Sequence, residues 1–243
     1  MEWPDARAFD GRGGRPIRLL VASDARDAAL QQAANREALG PLDGILGCGD
    51  LEPEWLAFLG DSFQVPLIYV RGNHDHGGQW KEQPLVVPRW LDASRIERLA
   101  GLPVIGLEWP GVDAPDNRRR PWLAWRQALG LTRRLVGARL WGAPVIVISH
   151  VPPAGVGDAP DRYHRGFGAY RWLLERLAPP VWLHGHTTTA SVSRLVERAG
   201  PTVVANATGA VLLELTPPAD AAATEHEAED DAEDDEARRK TAA

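Results

Sequence analysis

The chain has 243 residues, 44% hydrophobic and 25% charged, with 24 Gly and 20 Pro, an ordinary globular composition with room for one large domain or two small ones. Its longest apolar stretches, such as Val145 to Ser149 and Val203 to Ala207, fall far short of the roughly 20 residues a helix needs to cross a bilayer, which excludes a membrane span. Cys48, the single cysteine, excludes a disulfide framework and a thiolate zinc site.

Met1-Glu-Trp-Pro-Asp5 puts acids and a proline where a secretory signal carries a basic end and an apolar core, so a cytoplasmic location is expected. Residues 1–16, which include Gly11-Arg-Gly-Gly-Arg-Pro16, read as a flexible lead-in. The first strand is expected at Ile17 to Ser23, running into Asp24, followed by a helix-length segment from Asp27 to Leu39. A second strand, Gly44 to Gly47, runs into Cys48-Gly-Asp50, and a helix from Glu52 to Ser62 leads to Pro66 to Val70 and the cluster Arg71-Gly-Asn-His-Asp75. Further on, a helix from Trp122 to Leu140 precedes the strand Pro144 to Ile148 and Ser149-His150. Gly166 to Leu177 is helical, and Val181 to Leu183 runs into His184-Gly-His186. Each apolar run has the length and β-branched content of a buried strand. Strand and helix alternate, which implies an α/β protein with parallel pairing, and in such sheets ligands bind beyond the carboxyl ends of the strands. The polar clusters are therefore expected to meet at one edge.

The net charge of −6 is unevenly spread. From Ala219 to Ala243 ten acids face Arg238, Arg239 and Lys240, a net of −7, which leaves residues 1–218 at +1. Without aromatics or an apolar stripe, residues 217–243 read as an acidic disordered tail, either solubilising or partner-binding, behind a domain over 17–216. A neutral body without a basic stripe makes nucleic-acid binding an unfavourable reading.

Of seven histidines, His226 lies in the tail and His164 in a loop, while His74, His76, His150, His184 and His186 sit just past strands or at their last residue. A lone buried histidine is commonly a satisfied core residue. Five of seven in such positions, beside Asp24, Asp50 and Asn73, point to a metal site, and oxygen and imidazole ligands without sulfur suit Mn, Fe or Zn.

These clusters carry a resemblance. Asp24 in Ser-Asp-Ala-Arg, Gly49-Asp50-Leu51, Gly72-Asn73-His74-Asp75, Ser149-His150-Val-Pro-Pro153 and Gly185-His186-Thr-Thr188 resemble, in order, the five motifs of the calcineurin-like metallophosphoesterase superfamily. Asp161-Arg-Tyr-His164-Arg-Gly166 is similar to a spacer in some bacterial members, and Asn206-Ala-Thr-Gly209 to the closing Asn-x-x-Gly turn. The resemblance implies two mixed β-sheets packed face to face with flanking helices, a four-layer αββα fold. It also implies two metals roughly 3.5–4 Å apart that clamp a phosphoryl group and activate water for in-line attack. The second metal's ligands would be Asp50, Asn73, His150 and His186. His74 would contact phosphate and protonate the leaving oxygen, with Asp75 orienting its ring.

Two positions depart from the pattern. The family's first motif is Asp-x-His and its last Gly-His-x-His, and both outer histidines ligate the first metal; here Arg26 and Thr188 stand there. The first metal keeps Asp24 and the shared Asp50. Arginine stays charged and cannot ligate a cation, but its guanidinium at position 26 is placed to pair with Asp24, serve the phosphate or attacking water, and make the site mononuclear. Asp27 is either a substitute ligand or a first-turn acid. One well-held metal is the expectation, with two metals or none as the alternatives.

Six of ten tryptophans, Trp80, Trp90, Trp109, Trp122, Trp125 and Trp141, fall between the third and fourth motifs. Trp122, Trp125 and Leu129 follow a helical stripe and are expected in the core; the others are core or stacking residues. Asp116-Asn-Arg-Arg-Arg120 is a solvated turn or a phosphate-binding loop, and Cys48 a small buried residue. Two function classes follow: a metal-dependent phosphoesterase acting on a phosphate-ester small molecule or nucleotide, or a catalytically reduced member serving as a binding scaffold.

Overall fold

The computed structural model describes residues 1–75, 89–114, 116, 118–188, 190–192 and 194–219. Its contacts divide the chain into two compact units, residues 18–213 and residues 1–17 with 214–243.

Two sheets form the larger unit, completed by strands that run across the division. In the first, the order is β11 (Gly209–Leu215), β1 (Ile17–Ser23), β2 (Gly44–Gly47), β3 (Leu67–Tyr69) and β4 (Arg89–Trp90), with β1 to β4 pairing in parallel. The second runs β5 (Ile96–Leu99), β6 (Leu102–Leu107), β7 (Ile146–Ser149), β8 (Val181–His184), β10 (Thr202–Asn206) and β9 (Val196–Ala199). Its four central strands are parallel and its two edges antiparallel, so the sheet is mixed. The expected strands all form, with shifts of one or two residues at their ends. The buried central strands lack alternation because both faces are covered, as parallel sheets require.

Glycine lets the two sheets approach face to face. A Cβ on Gly106 in β6 would lie 2.7 Å from the Val70 and Leu91 side chains beside the first sheet, and one on Gly44 in β2 would meet Leu99 in β5 at 2.5 Å. Helix α2 (Pro53–Phe63) covers the outside of the first sheet, burying Trp55, Leu56 and Leu59 with Leu20, Ile45 and Tyr69. Helices α3 (Pro121–Gly137) and α4 (Gly168–Leu177) cover the second, where Leu131, Leu135, Tyr170 and Leu173 pack with Val147 and Trp182.

Two helical expectations are corrected. The Asp27 to Leu39 segment splits into a 3-10 turn, Ala28–Gln31, and α1 (Ala33–Ala38), because Gln32 is extended between them. On α3 the buried stripe is Ala124, Ala128, Leu131 and Leu135, while Trp122 is 62% exposed and Trp125 and Leu129 are each 41% exposed. Small residues let α3 approach α4 and the sheet closely, and Trp125 spreads over Trp172 at 5.7 Å between ring centres.

The smaller unit is tied by its own backbone bonds. Trp3 N–H donates to the Thr216 carbonyl at 2.9 Å, and Thr216 N–H to the Met1 carbonyl at 3.0 Å. Residues Ala6–Phe9 form a 3-10 turn capped by Asp5, and Trp3 is buried. Among the described residues no helix is long and apolar enough to cross a membrane.

Candidate metal centre

Three of the parallel strands, β1, β2 and β8, hand their polar clusters to turns with left-handed backbone. Asp24, Asp50 and His186 have φ of 60°, 55° and 67°, three of the seven non-glycine residues with positive φ among those described. Left-handed backbone is disfavoured for a side chain and persists where surrounding bonds impose it. Here it folds each residue back over its strand end. Gly49, at φ 93°, has no room for a side chain, since a Cβ would lie 2.6 Å from His150 Nδ1 and 2.8 Å from Gly72 Cα.

His150 is the centre of the cluster and fully buried. Its Nδ1 lies 2.9 Å from the Cys48 carbonyl, which only accepts, so Nδ1 carries the hydrogen and Nε2 turns toward the cleft. There Nε2 meets Asn73 Oδ1 at 2.8 Å and Asp50 Oδ2 at 3.2 Å. Asn73 is fixed in that orientation because its Nδ2 donates to the Tyr163 hydroxyl at 3.0 Å. One ligand atom each from Asp24, Asp50 and His150 lies within 4.8 Å of the others. The His186 ring centre is 4.9 Å from that of His150, and His186 Nε2 lies 3.0 Å from the Tyr163 carbonyl, leaving Nδ1 as the ring's lone-pair nitrogen.

The donor set is therefore a lone-pair nitrogen, an amide oxygen and carboxylate oxygens aimed at one another with no hydrogen between them, unless Nε2 is protonated. That arrangement fits a cation, which replaces the proton such ligands otherwise hold. The electrostatics follow. Burial disfavours a charged imidazole, but the Asp50 carboxylate at Nε2 outweighs it and raises His150 to about 9. Burial likewise acts to raise Asp50, but His150 and the His74 N–H hold it below the usual carboxylate range. Burial raises Asp24, and burial together with the His150 charge lowers His186 to about 3.

The other expected site residues divide. His74 donates its N–H to Asp50 Oδ1 at 2.7 Å, and its side chain, 67% exposed, reaches the Tyr163 hydroxyl at 3.2 Å. Asp75 does not orient that ring in the bonds described for it. It is buried, its carboxyl raised to about 6 by burial, and its Oδ2 accepts from Tyr69 Oη at 2.6 Å, Gly72 N at 2.7 Å and Asp50 N at 2.9 Å. Asp75 thus ties the Asp50 and Gly72 loops together. Asp24 Oδ2 already accepts from Ser23 Oγ at 2.6 Å and His186 N at 2.9 Å. Arg26 does not pair with Asp24; its Nε donates to Glu52 at 3.1 Å in an exposed ion pair, because the turn after Asp24 carries it to the start of α2. Thr188 is exposed and bonds Ser191. Asp27 accepts from Ala29 N at 2.9 Å, so it is a first-turn cap.

His184 is buried and its Nδ1 faces the Gly185 carbonyl at 2.9 Å; burial lowers it to about 4, a neutral core imidazole apart from the ligand set. Cys48 is buried. In the basic loop Arg118 and Arg120 pair with Asp116, and Arg119 donates to the Gly166 carbonyl at 2.6 Å while lying 4.0 Å over the Phe167 ring. His76, Trp80 and Asn117 lie outside the described residues. Asn206, in the closing turn, donates to the Thr187 carbonyl at 2.6 Å and steadies the bend at His186 and Thr187. The residue that motif reading missed is Tyr163, whose only sequence signal was the spacer around it.

Two cavities adjoin the cluster. One, of about 460 Å³, is lined by Asp24, Asp50, His74, Tyr163, His186 and Thr188 among others. The second, of about 620 Å³, lies against Asn73, His74, Trp109, Arg119, Arg162 and Tyr163, so His74 and Tyr163 border both.

Comparison with known proteins completes the description. One crystal structure aligns with a TM-score of 0.57 at 17% identity, over 82% of this chain and 95% of its own. Another, GAP50, the anchor in the inner membrane complex of Plasmodium, aligns with a TM-score of 0.50 at 14% identity over 79% and 71%. A conserved Streptococcus pneumoniae protein described as a predicted phosphoesterase aligns with a TM-score of 0.37 at 12% identity over 82% and 83%. At such identities the first two likenesses are of fold alone. No curated protein matches the chain. The sequence pattern described as calcineurin-like phosphoesterase matches residues 40–189, more than half of the chain, a span that includes Asp50, Asn73, His150 and His186. The protein belongs to the calcineurin-like phosphoesterase family.

Proposed function

We propose that the protein is a metal-dependent phosphoesterase, hydrolysing a phosphomonoester or phosphodiester with one well-held divalent metal, Mn, Fe or Zn. The observation that carries this reading is the convergence of Asn73 Oδ1 and Asp50 Oδ2 on His150 Nε2, at 2.8 and 3.2 Å, where a cation would replace the imidazole proton. Asp50, Asn73, His150 and His186 would hold the metal, with Asp24 at its margin; when bound it polarises a phosphoryl oxygen and makes water a better nucleophile.

The chain's own groups do the rest. His74 stands exposed at the cavity rim, its backbone pinned by Asp50, where its imidazole can give a proton to the leaving oxygen. Asp75 keeps the Asp50 and Gly72 backbones together, so the ligand loops are set before substrate arrives. The larger cavity beside Asn73 and His74, with Trp109, Arg119 and Arg162 on its walls, takes the part of the ester that does not react. Arg26, engaged with Glu52, stands apart from the phosphate.

A second reading rests on that same arginine. With Arg26 turned away and Thr188 exposed, the first metal position lacks two family ligands, as a scaffold that has given up catalysis would. Metal analysis of the purified protein, with a phosphomonoester and phosphodiester screen in added Mn, separates the two. Hydrolysis that is lost on chelation and weakened in His74→Ala supports the enzyme. Metal-loaded protein inactive on every ester supports the scaffold.

A further inference from the structure

Tyr163 touches three candidate site residues through two different groups. Its hydroxyl oxygen accepts from Asn73 Nδ2 at 3.0 Å and lies 3.2 Å from His74 Nε2, while its carbonyl accepts from His186 Nε2 at 3.0 Å. We infer that Tyr163 is a positioning residue for the metal centre, its hydroxyl orienting the Asn73 amide and its carbonyl the His186 ring, while the hydroxyl also holds His74. The inference rests on the metal reading above.

The orientation of Asn73 is the decisive point. An amide presents oxygen or nitrogen with nearly the same shape, and only the oxygen can ligate a cation. Here Nδ2 is committed to Tyr163 Oη, which turns Oδ1 toward His150 Nε2 at 2.8 Å. The phenol then has one hydrogen left to give, and His74 Nε2 is the acceptor in reach. On the other side, a carbonyl can only accept, so it selects the His186 tautomer with hydrogen on Nε2 and a lone pair on Nδ1.

The loop that carries Tyr163 is itself braced. Asp161 Oδ1 accepts from Tyr163 N at 2.8 Å and His164 N at 3.0 Å, and Asp161 Oδ2 lies 2.9 Å from His164 Nδ1. Three bonds to one carboxylate set the loop's curvature and hold the Tyr163 backbone over His186. Groups that orient metal ligands in this way contribute roughly 10–100-fold to metal affinity.

The test is calorimetric titration of metal-free protein with MnCl₂. Tyr163→Phe keeps the ring and the backbone carbonyl and loses only the hydroxyl, and Tyr163 is 52% exposed, so the fold tolerates the change. Its Mn dissociation constant should rise about tenfold, with melting of the metal-free form unchanged. In an Asn73→Ala background the same substitution should leave Mn affinity where Asn73→Ala put it, since the hydroxyl acts through the amide. At saturating Mn the variant's kcat should fall with KM unchanged, from the released His74. Equal Mn affinity in Tyr163→Phe and the parent, or a full tenfold loss persisting without Asn73, overturns the inference and leaves the metal reading standing. A parent protein that takes up none of Mn, Fe or Zn overturns both.

Discussion

The two halves of the cleft use carboxylates in opposite ways. Around His150, Asp50 Oδ2 and Asn73 Oδ1 face one ring nitrogen, and without a metal the imidazole holds a proton there, its pKa raised to about 9 by Asp50. Around Asp24, one carboxylate oxygen, Oδ2, accepts from Ser23, His186 and Thr208, and the cation of Arg26 is directed to Glu52. Two oxygens on one imidazole call for a positive charge between them, which a proton or a metal supplies; a carboxylate oxygen that already accepts several hydrogen bonds has less need of one. On the reading proposed above, cation binding centres on the first half, with Asp24 at its margin.

The largest break should come from His150→Ala. It removes a central ligand and leaves Asp50 without its buried partner, so metal uptake should vanish and unfolding free energy should fall by about 3 kcal/mol in denaturant titration. Asp75→Ala comes next. Tyr69 Oη and the Gly72 and Asp50 N–H groups lose a common acceptor, and each unpaired buried donor costs about 1–3 kcal/mol, partly relieved by water. Metal affinity should weaken with stability, because both ligand loops are released. In His74→Ala, by contrast, turnover should drop about 100-fold while metal content stays at the parental value, the signature of a proton donor outside the ligand set. The double change Arg26→His with Thr188→His should leave metal uptake near one equivalent in elemental analysis, since position 26 is turned to Glu52 and position 188 is exposed beside Ser191. Smallest of all, Arg26→Ala breaks only a solvent-exposed pair with Glu52 and should move stability by less than about 0.5 kcal/mol.

Much of this arrangement was legible in the sequence because each cluster closes an apolar run. Asp24, Asp50, Asn73, His150 and His186 follow strands whose parallel order delivers them to one edge, so type and position agreed. What was not legible depended on direction or on a choice between equivalent patterns. Helix α3 carries two stripes, Trp122-Trp125-Leu129 and Ala124-Ala128-Leu131-Leu135, and hydrophobicity favoured the one that packing rejected. Close approach to α4 selects small side chains, which periodicity alone does not weigh. The pattern pairs Arg26 with Asp24, two positions earlier, whereas the turn brings Glu52 within reach. Asp75 was given a ring to orient and instead ties backbones together. Tyr163 stands in an irregular loop, and of its three contacts two lie some 90 positions earlier and the third, His186, 23 positions later, so they exist only once the loop has folded over both strand ends.

Metal stoichiometry tests the contrast between the two halves most directly. Protein purified in the presence of Mn, crystallised and measured at the metal absorption edge should show about one equivalent per chain. Its anomalous peak should lie among Asp50, Asn73, His150 and His186. Two full equivalents, with a second peak ligated by Asp24, would contradict the account.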